Sequence, residues 1–211
     1  MKFYESGDSS KPVIFLFPGT CCLYSSFEHV LDGLHSYFYT ITVSYDGFDP
    51  NEKTEFYSME DECEKIEQEI KKKYCGRIKA AYGCSLGGSL VSLLIQRKRI
   101  HIEHGIIGSS DMDEAGKLVA KIQASMVVPF MYKMAHTGAL PKYMQKKLSK
   151  TDGAKRELYN GFLNMFGIGK GGSPWITKQS IYNQFYSDLV TKVQHGIDVP
   201  GTTIHVFYAT K

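Results

Sequence analysis

The chain has 211 residues, 43 % of them hydrophobic and 22 % charged, with a formal net charge of +3. That composition is ordinary for a globular protein with one sizeable core, and a charge so near zero selects neither an anionic nor a neutral substrate. No run is long enough for a membrane span and Met1–Ser6 carries no apolar signal region. The cysteines Cys21, Cys22, Cys63, Cys75 and Cys84 are odd in number and lack framework or metal-ligand spacing, which points to a reducing, cytoplasmic setting with no metal.

Phe3–Glu5 reads as a short strand ending at the Gly7–Ser10 turn. Val13–Phe17 is an apolar run closed by Pro18-Gly19, the signature of a central parallel strand. Ser25 and Glu28 have capping-box spacing, and Phe27, Val30, Leu31, Leu34 and Phe38 continue at helical steps. Tyr39–Tyr45 alternates as a second strand. Met59, Cys63, Ile66, Ile70 and Tyr74 then fall on one helix face, with Glu60, Asp61 and Glu62 at its start and Lys71–Lys73 at its end. Its charges are expected on a solvated face, with Glu67–Lys71 and Glu69–Lys73 pairs and a stop at Gly76.

Arg77–Tyr82 reads as a buried strand, Leu86–Gln96 as a buried helix, and Ile102–Gly108 as a further strand. Such alternation implies a parallel sheet wrapped by helices, with sites at the carboxyl ends of its strands. Gly19, Ser85 and Asp111 all follow such ends. From Asp111 to Trp175 the rhythm breaks into what reads as several short helices without a strand. Six of the eight methionines lie there (Met112, Met126, Met131, Met134, Met144, Met165), suiting either a lid over an acyl group or core filling in a small helical unit. Lys142, Lys146, Lys147 and Lys150 read as a solvated face rather than a nucleic-acid or membrane patch. Gly167–Gly172 matches Gly-x-Gly-x-x-Gly but follows helical sequence and precedes Pro174, so it reads as a hinge and not a dinucleotide loop. Ile181, Phe185, Leu189 and Val193 mark another helix, and Thr203–Ala209 a last strand.

Between the Arg77–Tyr82 strand and its following helix stands Gly83-Cys84-Ser85-Leu86-Gly87, a Gly-x-Ser-x-Gly elbow. A turn this tight strains the central residue and lifts its side chain clear of the sheet, while Gly83 and Gly87 stay small where helix and strand cross. Ser85 at the helix N-terminus is thus a candidate nucleophile. Oxyanion donors would be the backbone N–H of Leu86 and, from the Phe17-Pro18-Gly19-Thr20 loop, that of Thr20 or Cys21. Cys84, the neighbouring thiol, points away from such a site and reads as a buried packing residue.

The Val13–Thr20 run together with Tyr82–Gly88 resembles the α/β-hydrolase superfamily of serine esterases and lipases over nearly the whole chain. The resemblance implies an α/β core at 1–110 and 176–211 and a helical cap at 111–175. It also implies cleavage of a small-molecule carboxylic ester or thioester, without a cofactor. Pro18-Gly19 replaces the usual His-Gly but keeps the glycine, and Ile197–Tyr208 looks like the approach to the strand before the acidic triad member. That acid, the histidine one strand later and the closing helix have no counterpart before Lys211. Among substitutes, His136 in the cap could swing over Ser85, and Asp111 or Asp113 could serve as the acid, although surface or capping roles suit both. His101, His104 and His195 fall near amino ends of strands, His205 mid-strand, and His29 and His35 in the first helix. As a complete product, the chain is expected to have an incomplete triad, turnover about a thousand-fold over water, and an exposed edge strand inviting dimerisation. As part of a longer one, it implies an ordinary serine hydrolase. A non-catalytic protein holding a small apolar ligand under the cap is the competing reading, and an acyltransferase would differ only in its acceptor.

Overall fold

The computed structural model describes residues 1–110, 114–140, 142, 145–146, 149–150, 152–166 and 171–207. Six strands form one sheet: β1 (Lys2–Ser6), β2 (Val13–Phe17), β3 (Tyr39–Ser44), β4 (Arg77–Cys84), β5 (His101–Gly108) and β6 (Thr203–Phe207). Their order is β1-β3-β2-β4-β5-β6, with only β1 antiparallel to its neighbour. Helices α1 (Glu28–His35), α2 (Met59–Tyr74), α3 (Leu86–Arg97), α4 (Lys117–Thr137), α5 (Gly153–Met165) and α6 (Lys178–Val190) complete the described elements, with a 3₁₀ turn at Tyr24–Phe27.

The period-two direction of side chains in a strand decides the layers. Ile14 and Leu16 of β2 pack with Ala80 and Phe27 on the side of α1, where Leu31, Leu34 and Phe38 cover them. Phe15 and Phe17 point the other way, into the main core with Ile66 and Ile70 of α2, Leu90 and Leu94 of α3, and Ile181 of α6. A strand with apolar residues at every position therefore serves two cores. The parallel registers Phe17 to Gly83 and Cys84 to Gly108 bring the carboxyl ends of β2, β4 and β5 side by side.

Four expectations need correction. Ser25 and Glu28 make no capping box: a 3₁₀ turn intervenes, α1 begins at Glu28, and Phe27 precedes it with no side-chain cap. The stretch after β5 is not a series of short helices throughout, because α4 runs 21 residues through Pro129. Ala120, Ala124, Val128 and Ala135 are buried along it, and that packing outweighs the one backbone bond a proline removes. Its outer face leaves Leu118, Ile122 and Met126 exposed. The α6 helix stops at Val190, short of Val193. Finally, the charges of α2 are not all solvated.

Glu62 and Glu67 are buried on α2. Glu67 accepts from Arg97 Nε at 2.5 Å instead of pairing with Lys71, whereas the Glu69–Lys73 pair forms at 2.7 Å. Glu62 accepts from the Asp46 amide at 3.2 Å and from Lys65 Nζ at 3.3 Å. Lys65 also contacts Asp46 and Asp61, and the Met1 ammonium meets Asp46 and Glu52. The helix stop is a left-handed Cys75 followed by Gly76, whose N–H returns to the Ile70 carbonyl. Among the described residues no helix is long and apolar enough to cross a membrane.

Burial, then the nearby Asp46 charge, pushes the Glu62 carboxyl up from 4.5 to about 7. The folded state thus holds a proton that the unfolded chain has released, so this stabilisation is full below about 4.5 and lost as pH rises through about 7. The loss between those two pH values is on the order of a few kcal/mol. Urea unfolding at pH 5 and pH 8 is expected to show the loss, and Glu62→Gln to flatten it.

Candidate active site

Ser85 joins β4 to α3 with φ 53° and ψ −123°, a region that residues bearing a side chain seldom adopt. Three backbone bonds over-determine it. Its N–H donates to the Gly108 carbonyl at 2.9 Å, and its own carbonyl accepts from Gly88 and Ser89 at 2.8 and 3.2 Å. The residue is exposed, although Gly83, Leu86 and Gly87 around it are buried. The sharp bend therefore presents a hydroxyl at the rim of the sheet.

The glycines explain how the bend closes. A Cβ on Gly83 would lie 2.0 Å from the Gly87 carbonyl oxygen, and one on Gly87 would lie 2.2 Å from that of Phe17. Both obstacles are backbone, so neither can step aside. A Cβ on Gly19 would stand 3.6 Å from Cβ of Ser85, which puts the loop after β2 in direct reach of the elbow.

Two buried side chains hold that loop. Tyr45 donates its hydroxyl to the Pro18 carbonyl at 2.9 Å, and burial pushes its phenol well above the usual value, keeping it a donor. Gln184 of α6 accepts the Cys21 N–H at 2.9 Å, with Cys21 itself at φ 59°. The Cys21 amide is thereby occupied. The N–H groups of Thr20 and Leu86 have no acceptor among the described residues. Neither Tyr45 nor Gln184 was singled out from sequence. A signal existed for Gln184, which stands three residues after Ile181 on the apolar face of its helix.

The thiols are poor alternatives to the hydroxyl. Burial drives Cys21 far up and Cys22 to about 12, and it raises Cys84 as well. Cys84 is half-buried, not fully buried as its elbow position suggested, because β4 ends there beside solvent. His136 sits in the last turn of α4 with its ring 5.2 Å from that of Tyr132 and Nδ1 buried. Among the described residues no histidine lies within hydrogen-bonding distance of the Ser85 hydroxyl. Asp111, Asp113 and Gly167–Lys170 fall outside the described residues. Ser109 and Ser110 follow the carboxyl end of β5, with Ser110 sharing a 3.0 Å contact with Ser89.

No family model and no curated protein sequence matches the chain. Solved structures do. An alpha/beta hydrolase family protein from Desulfitobacterium hafniense is similar at TM-score 0.66 and 15 % identity, over 90 % of this chain and 72 % of that one. A thermophilic esterase from Thermogutta terrifontis is similar at TM-score 0.68 and 14 % identity, over 97 % and 74 %. The enol-lactonase from Burkholderia xenovorans LB400 gives 0.64 and 13 %, over 97 % and 75 %. The chain has the α/β-hydrolase fold.

Two sets of substitutions probe this architecture. Gly83→Ala is expected to destabilise by more than about 3 kcal/mol, since backbone must move. Gly33→Ala on α1, where an added Cβ meets nothing within 4 Å, should instead stabilise by about 0.5–1 kcal/mol. Gln184→Leu strands a buried N–H and should cost about 1–3 kcal/mol. Urea unfolding midpoints read all three.

Proposed function

We propose that the chain is a serine hydrolase that cleaves a carboxylic ester or thioester through an acyl-enzyme on Ser85. The observation that carries this reading is a strained, exposed serine at a helix N-terminus, in contact range of a glycine loop anchored from beneath. Attack of the Ser85 oxygen on the carbonyl carbon would form a tetrahedral oxyanion, with Thr20 and Leu86 N–H as its donors. Collapse expels the alcohol or thiol carrying the proton that the serine hydroxyl gave up, and attack of water on the acyl carbon then releases the acid and returns a proton to the Ser85 oxygen. An esterase and an enol-lactonase among the structural neighbours favour ester chemistry. Residues 111–175 act as the cap in this reading: α4 packs along α6, and α5 reaches the Tyr24–Phe27 turn that follows the oxyanion loop. The setting proposed is the cytoplasm.

A second reading has its own support. With no histidine hydrogen-bonded to Ser85 among the described residues, the fold would instead hold a small apolar ligand beneath the cap without turning it over.

A fluorophosphonate probe separates the two. Covalent labelling of Ser85, mapped by peptide mass spectrometry and abolished in Ser85→Ala, is the expected result. Persistence of the label in Ser85→Ala, or no label on a folded chain, would sink the hydrolase.

A further inference from the structure

At the β6 edge of the sheet two imidazoles meet. His104 of β5 and His205 of β6 place Nδ1 and Nε2 3.3 Å apart, with their rings tilted 41° and centroids 5.4 Å apart. The strands are parallel neighbours with Ile106 opposite His205, so both side chains leave the same face of the sheet. His104 is partly open to solvent and His205 exposed. One proton could be shared between them. The spacing fits a second occupant equally well: two nitrogens bound to one zinc at about 2.0–2.1 Å with a tetrahedral angle lie about 3.3–3.4 Å apart.

A second observation concerns the other nitrogen of His104. Its Nε2 faces the Glu103 carboxylate at 3.5 Å, and Glu103 is itself paired with Lys79. At 3.5 Å the Glu103–His104 approach is an electrostatic contact, not a hydrogen bond; a carboxylate beside one imidazole nitrogen favours the proton on that nitrogen and the lone pair on the other. Glu103 thus favours the tautomer in which His104 Nδ1 is free to coordinate, on the side where His205 stands.

We propose that His104 and His205 form a binding site for an imidazole-preferring divalent cation of the zinc type, with Glu103 as the positioning residue. The cation displaces the proton between the rings. Its remaining positions go to water. Binding ties the edge strand β6 to β5 through a bridge additional to the backbone ladder.

Asp46, Asp61 and Glu62 approach one another closely, but Lys65 and the Met1 ammonium already supply their positive charge. At His104 and His205 two imidazole nitrogens face each other on a partly exposed face of the sheet.

The test is zinc chloride titrated calorimetrically into the full chain, in a Cys75→Ser background because Cys75 is an exposed thiol. Thermal unfolding is followed with and without the metal. About one equivalent should bind and raise the unfolding midpoint, as any ligand selective for the folded state does. His104→Ala and His205→Ala should each abolish both effects, and Glu103→Gln should weaken binding by about 10–100-fold. Undiminished binding in His205→Ala, or no midpoint shift in the parent, overturns the site. Unchanged affinity in Glu103→Gln overturns the role of the carboxylate. All three side chains are at least partly exposed, so the variants test coordination without disturbing a core.

Discussion

Everything at the candidate site rests on backbone touching backbone. Strand β4 and helix α3 cross so closely that Gly83 abuts Gly87, and Gly87 abuts the end of β2 at Phe17. No side chain fits into either contact. Once those surfaces meet, the chain between them has no relaxed route, and Ser85 takes the strained conformation because its neighbours leave no other. The strain is sustained by three hydrogen bonds and by the buried helix behind it, every residue of which from Leu86 to Ile95 is out of solvent.

The loop facing the serine is held differently, by polar groups reaching from distant parts of the chain. Tyr45 at the end of β3 and Gln184 on α6 each satisfy one backbone group of the Pro18–Cys21 segment inside the core. Buried hydrogen bonds of this kind contribute modestly when made and cost much more when broken. They therefore act mainly as locks on conformation. Gln184 also links the site to the segment that returns from the helical region, so the loop and α6 must be in place together.

The same economy of buried polar groups shapes α2. Its sequence has the charge order of an exposed helix, acids first and lysines last, and that order does suit the helix dipole. Yet Glu62 and Glu67 lie against Lys65, Arg97 and the Asp46 amide in the interior. A charge run shows how a helix is polarised, but only its neighbours determine which of the charges are covered.

Most of the layering was legible one-dimensionally. Alternating or continuous apolar runs mark strands because side-chain direction has period two, and Met59, Cys63, Ile66 and Ile70 mark a helix face because steps of three and four return to it; all four are fully buried. The glycine spacing of the elbow was likewise readable, since only glycine tolerates the crossing it requires. The misreadings arose where local signals compete with packing: Ser25 and Glu28 have cap spacing without a cap, and Pro129 sits inside a helix that its buried face sustains. Sequence by itself determined the strands, the helices α2 and α3 and the position of the bend, because those follow from short-range periodicity and steric limits on single residues. Only the tertiary structure decided that Tyr45 and Gln184 grip the loop, that Glu62 is buried, and that His104 and His205 stand face to face. Those pairings join residues far apart in the chain, and no local rule of spacing encodes them.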